Sequence, residues 1–163
     1  MLLREVMEKA IQPALAILPA KMDTPQARVM LLAIGMQESR FKARVQKGNG
    51  PARGFWQFEK GGGVRGVMTH SAVKGMTAHV CAVRGVRFDP CAIWTALATD
   101  DVFAAAMARL LLWTDPGALP ERDKPDDGWR LYALRVWRPG KPHPDTWPGF
   151  YRDAVNFVYG EVA

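Results

Sequence analysis

The chain is poor in the residues that build metal centres and disulfide frameworks: its 163 residues include three histidines and two cysteines. His70 and His79, with Cys81 and Cys91, follow no standard zinc-ligand spacing. The histidines are therefore read as solvent-facing or hydrogen-bonded, with His143 in a proline-rich loop, and neither a metal nor an organic cofactor is expected. Cys81 and Cys91 either close one short disulfide loop or are two small apolar side chains on adjoining helices. Nothing in the chain names a redox compartment, and the unbridged reading is preferred. Long apolar runs are also missing: none approaches the ~18 residues of a membrane span. The stretch Ile11 to Leu18 follows a segment that mixes Glu5 and Glu8 with Arg4 and Lys9, which makes a poor signal peptide and a good amphipathic helix. Alternation of apolar and polar residues is almost absent, which argues against a sheet. Dense basic runs are absent too. The net charge of +6 attracts polyanions in general, but its scattered distribution is not that of a nucleic-acid-binding tail, and no nucleic-acid partner is expected.

What the chain does contain is helical periodicity. Leu3, Val6, Met7, Ala10, Ala14, Ile17 and Leu18 form one stripe, with Pro13 as a kink or boundary. Thr24 followed by Pro25 is a helix start, a hydroxyl cap before a proline whose missing N–H costs nothing there; that helix runs to Gln37 or Glu38. A loop marked by Gly48-Asn49-Gly50-Pro51 follows, and Gly61-Gly62-Gly63 reads as the next break. Ser71, Asp89, Thr99 or Asp100, and Asp127 are further expected caps, for helices reaching about Arg84, following Pro90, ending at Trp113 and ending near Trp137. A last helix spans Thr146 to Tyr159. The length suits one domain over residues 1–163, all-α, with no repeat or linker to divide it.

Glu38 is the residue with the clearest chemistry. It ends a helix that is apolar from Val29 to Met36. There the negative end of the helix dipole and the apolar surroundings both disfavour a carboxylate, so a proton is retained near neutral pH. That is the state a general acid needs to protonate a glycosidic oxygen. The composition of this region supports a sugar substrate. Gln57 has an amide donor and acceptor for hydroxyl and N-acetyl groups, and Trp56, Tyr132 and Trp137 have flat apolar faces on which a sugar can rest. Trp94 and Trp113 are assigned to the core. Basic residues from Arg40 to Arg53 surround the motif and suggest a local role toward the substrate. Glu59 is the nearest second carboxylate but stands at no recognised lysozyme-type spacing.

The order of these residues is that of a known motif set. Glu38-Ser39-Arg40-Phe41, a polar loop, and Gly54-Phe55-Trp56-Gln57 resemble the Glu-Ser-x-Phe and Gly-x-x-Gln elements of lytic transglycosylases in the lysozyme superfamily. Phe55-Trp56 replace the usual Leu-Met, and Ala43 and Val45 stand where Pro and Ala are common. Ala133 to Gly140 can be aligned with a third family element, with Trp137 at its tyrosine and Arg138 at its asparagine. The resemblance implies a lysozyme-like helical domain with a substrate cleft. It implies Glu38 as the single catalytic acid and base, and Ser39, Gln57, Trp56 and Trp137 as substrate contacts; Tyr132 joins them on the chemistry of its ring alone. The substrate would be peptidoglycan glycan strands, cleaved between N-acetylmuramic acid and N-acetylglucosamine. In context, this suggests a monomeric phage endolysin released to the cell wall by a holin, or a virion-associated lysin. The alternatives are a lysozyme-type hydrolase, a non-catalytic phage structural or wall-binding protein of the same fold and, from another class, a nucleic-acid binder.

Overall fold

The computed structural model describes residues 1–160; the last residues of the expected domain, 161–163, lie outside it. Among the described residues the regular structure is helical, and pairing of extended backbone is confined to the isolated bridges Val45–Arg53 and Arg53–Phe58. The helices are α1 (Leu3–Val6), α2 (Gln12–Ile17), α3 (Pro25–Ser39), α4 (Arg65–Thr69), α5 (Lys74–Arg84), α6 (Pro90–Leu97), α7 (Asp101–Trp113), α8 (Pro125–Trp129) and α9 (Trp147–Gly160). Three wider π-type segments, Met7–Ile11, Lys60–Val64 and Arg130–Val136, join or extend them. No single helix among the described residues is long and apolar enough to cross a membrane.

The capping chemistry explains several starts. Thr24, Asp89 and Asp100 each accept a hydrogen bond from the backbone N–H three residues on, at 3.1, 3.0 and 3.1 Å, satisfying donors that the first helical turn leaves free. Pro13 does not end its helix. The wide turn Met7–Ile11 precedes it, and the chain continues as helix through a residue that has no N–H to give.

Three expected boundaries are corrected. Gly61-Gly62-Gly63 is helical rather than a break. A Cβ on Gly63 would sit 2.8 Å from the Phe58 ring, so this glycine serves close packing. Ser71 caps nothing; α5 starts at Lys74 without a side-chain cap. Asp127 lies inside the first turn of α8, where it pairs with Arg130 at 2.8 Å, and the helix starts at Pro125.

The buried apolar side chains form one continuous cluster. Two helices run through it with little polar surface: α3, buried from Val29 to Met36, and α7, buried from Phe103 to Leu112. A helix apolar on all sides must be enclosed on all sides. Helix α9 packs along α3, and α2 and α5 pack on α7. The central position of α3 means that its C-terminal end emerges from the core, and Glu38 is at that end.

Candidate active site

The end of α3 is shaped by its own motif. Arg40 and Phe41 both have φ of 54°, a left-handed conformation that is unfavourable for residues with a side chain. Two interactions hold it. The Phe41 N–H donates to Ser39 Oγ at 3.1 Å, and Ser39 Oγ donates to the Phe55 carbonyl at 2.7 Å, with the Gly35 carbonyl at 3.2 Å. The Phe41 ring is buried against Phe55 and Trp56, edge to face, at 5.5 and 5.7 Å between centroids. It lies directly on Gly35, where a Cβ would be only 2.1 Å from the ring. Ser39 and Phe41 thus turn the chain sharply after Glu38 and tie it to the segment that carries Gln57.

That segment is a tight turn. Gly54 has φ of 79°, and a Cβ there would meet the Leu97 carbonyl at 2.8 Å, so only glycine fits. Both the backbone N–H and the side-chain Nε2 of Gln57 donate to the Gly54 carbonyl at 2.9 Å. The amide group of Gln57 therefore braces its own turn, leaving Oε1 without a partner among the described residues.

Glu38 is half-buried on the wall of a cleft of about 740 Å³ that is also lined by Gln57, Arg40, Lys47, His143 and Phe150. Gln57 also lines a neighbouring cavity of about 400 Å³ that holds Glu59, Gly61 to Gly63, Trp137 and Arg138. The hydroxyl of Tyr132 donates to Glu38 Oε1 at 2.6 Å, and Oε2 has no partner among the described residues. Burial pushes the Glu38 carboxyl up to about 7; the Tyr132 hydrogen bond pulls it down, and the negative charge of Glu59 adds to the rise. Burial also raises the Tyr132 phenol, and the Glu38 charge acts in the same direction, so this hydroxyl remains a donor at neutral pH. The pair can hold a proton on Glu38 near pH 7 and steady the carboxylate once the proton has left.

Several expected site residues have other roles. Trp56 is not a sugar platform: it is 1% exposed, and its Nε1 donates to the Leu31 carbonyl at 2.8 Å. Tyr132 is no platform either. It is 2% exposed and stacks on Trp147, with ring centroids 5.1 Å apart and planes 5° from parallel, so it positions Glu38 instead. The aromatic side chain that meets Glu38 is Tyr132, five residues before Trp137. Trp137 Nε1 donates to the Trp56 carbonyl at 2.9 Å and its ring edge meets Phe58. Part of Trp137 still lines the smaller cavity. The basic cluster is partly structural: Arg44 pairs with Asp101 through two hydrogen bonds of 2.8 Å, and Arg53 bonds to loop carbonyls and stacks over Trp94. Trp94 and Trp113, expected in the core, are half-buried beside it, each with basic groups over its ring. Cys81 is buried, Cys91 is exposed, and both are free thiols.

The aromatic group behind Tyr132 had no place in the sequence reading. Trp129, Tyr132, Trp147 and Tyr151 pack together, over a Gly128 where a Cβ would strike Tyr151 at 2.9 Å. The signal was present as two aromatic pairs at helical spacings of three and four. A strap was also missed: Gln37 Nε2 donates to the His143 carbonyl at 2.9 Å, and the Thr146 hydroxyl donates to Gln37 Oε1 at 3.0 Å. It holds the proline-rich loop over the end of α3. Among the described residues no three His, Cys, Asp or Glu side chains gather as a metal site. No protein-family model, curated protein or solved structure matches the chain.

Proposed function

We propose that this protein is a muralytic enzyme of the lytic transglycosylase type, acting on peptidoglycan glycan strands with Glu38 as its acid and base. The observation that carries the proposal is the state of Glu38: a carboxyl raised to about 7, on a cleft wall, with one oxygen held by Tyr132 and the other without a partner among the described residues. In this reading that second oxygen gives its proton to the glycosidic oxygen as the C1–O bond breaks. The C6 hydroxyl oxygen of the muramic residue then bonds to C1, and its proton passes to the Glu38 carboxylate, leaving a 1,6-anhydro sugar. Gln57 Oε1, Arg40, Lys47 and Phe150 are the side chains available for contacts along the strand.

A second reading has one supporting observation. Glu59 is close enough for its charge to raise the Glu38 carboxyl, and a lysozyme-type hydrolase would use such a second carboxylate to direct water. The experiment is muropeptide release from purified peptidoglycan, with product masses, for the wild type, Glu38→Gln and Glu59→Gln. The transglycosylase reading expects products lighter by one water than hydrolytic ones, release lowered about 10²–10⁴-fold by Glu38→Gln and nearly full release by Glu59→Gln. Hydrated products lost in both variants would favour the hydrolase. Release by a folded Glu38→Gln protein at the wild-type rate would end both readings of Glu38, and no release by the wild type would leave a non-catalytic wall-binding protein.

A further inference from the structure

Arg109 lies in the middle of α7 and is 2% exposed. A charge so enclosed normally has an ion partner, but Arg109 has none among the described residues. Its only hydrogen bond there runs from Nε to the Met22 carbonyl, at 2.9 Å. Asp23, the acid whose charge it feels, is already held by Arg28 through bonds of 2.8 and 3.0 Å. Nη1 and Nη2 have no acceptor among the described residues. No side-chain nitrogen among the described residues is both sealed from solvent and unbonded, so these two atoms are reached from the cavity that Arg109 lines.

That cavity, about 570 Å³, lies between α7 and the loop that follows it. Its walls include Leu112, Trp113 and Leu119, and its size suits a small organic ligand. Lys21 and the Arg109 guanidinium lie over the Trp113 ring at 5.4 and 5.3 Å from its centroid. The acids on the wall offset this charge little. Asp115 is held by Arg135 at 3.0 Å and by the Gly117 N–H at 3.1 Å, and Glu121 is exposed. The lining thus combines an apolar aromatic wall with a buried guanidinium edge that has two parallel donors to give.

We propose that this cavity binds a small carboxylate with an apolar body, its two oxygens taken by Arg109 Nη1 and Nη2 and its body resting beside Trp113. With Nε engaged by Met22, the remaining edge of the guanidinium has the two-pronged shape that matches a carboxylate. Lys21 supplies a second positive charge at the mouth. The inference stands on Arg109 and its cavity and does not depend on the role of Glu38.

The test is two-dimensional NMR of the ¹⁵N-labelled full chain, following the Trp113 indole N–H and the Arg109 Nε–H during titration with benzoate, benzamide and inorganic phosphate. Benzoate should shift both signals saturably and bind at least about tenfold more tightly than benzamide, which has the same body without the charge. Lys21→Met, an exposed substitution, should weaken benzoate several-fold, and Arg109→Lys should weaken it about tenfold. If Arg109→Lys does not fold, the wild-type and Lys21→Met titrations still decide. Equal binding of benzamide, phosphate binding as tight as benzoate, or no saturable shift at Trp113 would each overturn the proposal, leaving Arg109 a core cation satisfied by water.

Discussion

Glu38, at the end of α3, and Arg109, within α7, are charged side chains that helices carry toward the interior. Desolvation is the leading influence on both, and it acts against the charged form of each. The outcomes differ because the starting points differ. Burial lifts the carboxyl from an ordinary value of 4.5 to about 7, so Glu38 changes protonation near neutral pH. The same penalty lowers the guanidinium from 12.5 to about 10, so Arg109 stays charged. One environment makes a proton carrier and the other a fixed cation. Their partners match these roles: Tyr132 gives Glu38 a hydrogen bond suited to the ionised form, while Arg109 retains two donors for an external anion.

Substitution should separate the two residues. The largest effect is on rate: Glu38→Gln should lower muropeptide release by about 10²–10⁴-fold, the usual contribution of general acid–base catalysis, with the protein still folded. Arg109→Ala should act on stability instead. It leaves the Met22 carbonyl unbonded and a hole in the core, costing about 3 kcal/mol and lowering the thermal midpoint by roughly 6–12 °C in a domain of this size. A midpoint within a degree of wild type would show that Arg109 contributes no packing.

The next effect follows from linkage. The folded carboxyl of Glu38 is raised above its unfolded value of 4.5 to about 7. Between these values the unfolded chain has released a proton that the folded chain retains. Stability therefore falls as pH rises through this window and levels off above about 7, by about 3 kcal/mol in total. Glu38→Gln lacks this titration, so its stability relative to wild type should grow from pH 4.5 to pH 7.5. Denaturant unfolding of both proteins across that range measures the difference, and parallel pH profiles would contradict the raised carboxyl. Smallest is Tyr132→Phe. Losing the hydroxyl costs about 1 kcal/mol and removes the interaction that lowers Glu38, so the carboxyl should rise further and the alkaline limb of the activity profile should move up. An unmoved limb would make Tyr132 merely a packing residue.

Much of the chain was legible wherever the controlling interaction is local. The caps at Thr24, Asp89 and Asp100 could be read because each bonds to a backbone N–H three residues away. Ser39, Phe41, Gly54 and Gln57 were marked in the sequence only by their order in a resembled motif; the sharp turn after Glu38 and the brace between Gln57 and Gly54 belong to the fold. The glycine run misled because the space above Gly63 is filled by Phe58, a packing fact invisible in composition. Trp56 was legible as an aromatic at a motif position, but the direction of its ring was not. Its Nε1 turns inward to Leu31 because the turn at Gly54 faces it toward α3.

By itself, then, the amino-acid sequence determined an all-helical chain, the ends of its central helices and a carboxyl group at the emerging end of α3. These follow from helical periodicity, capping and the helix dipole, all of which act over a few residues. The partner of that carboxyl was decided only in three dimensions. Tyr132 and Trp137 are both aromatic and lie five residues apart, and which of them meets Glu38 depends on how the wide turn Arg130–Val136 is rotated against Trp147 and α9. The exposure of the Arg109 guanidinium to a cavity was decided in the same way. Met22 and Lys21 belong to the short turn Ala20–Met22 and Trp113 to its own helix, and only the packing of turn against helix leaves two of its nitrogens without an acceptor among the described residues.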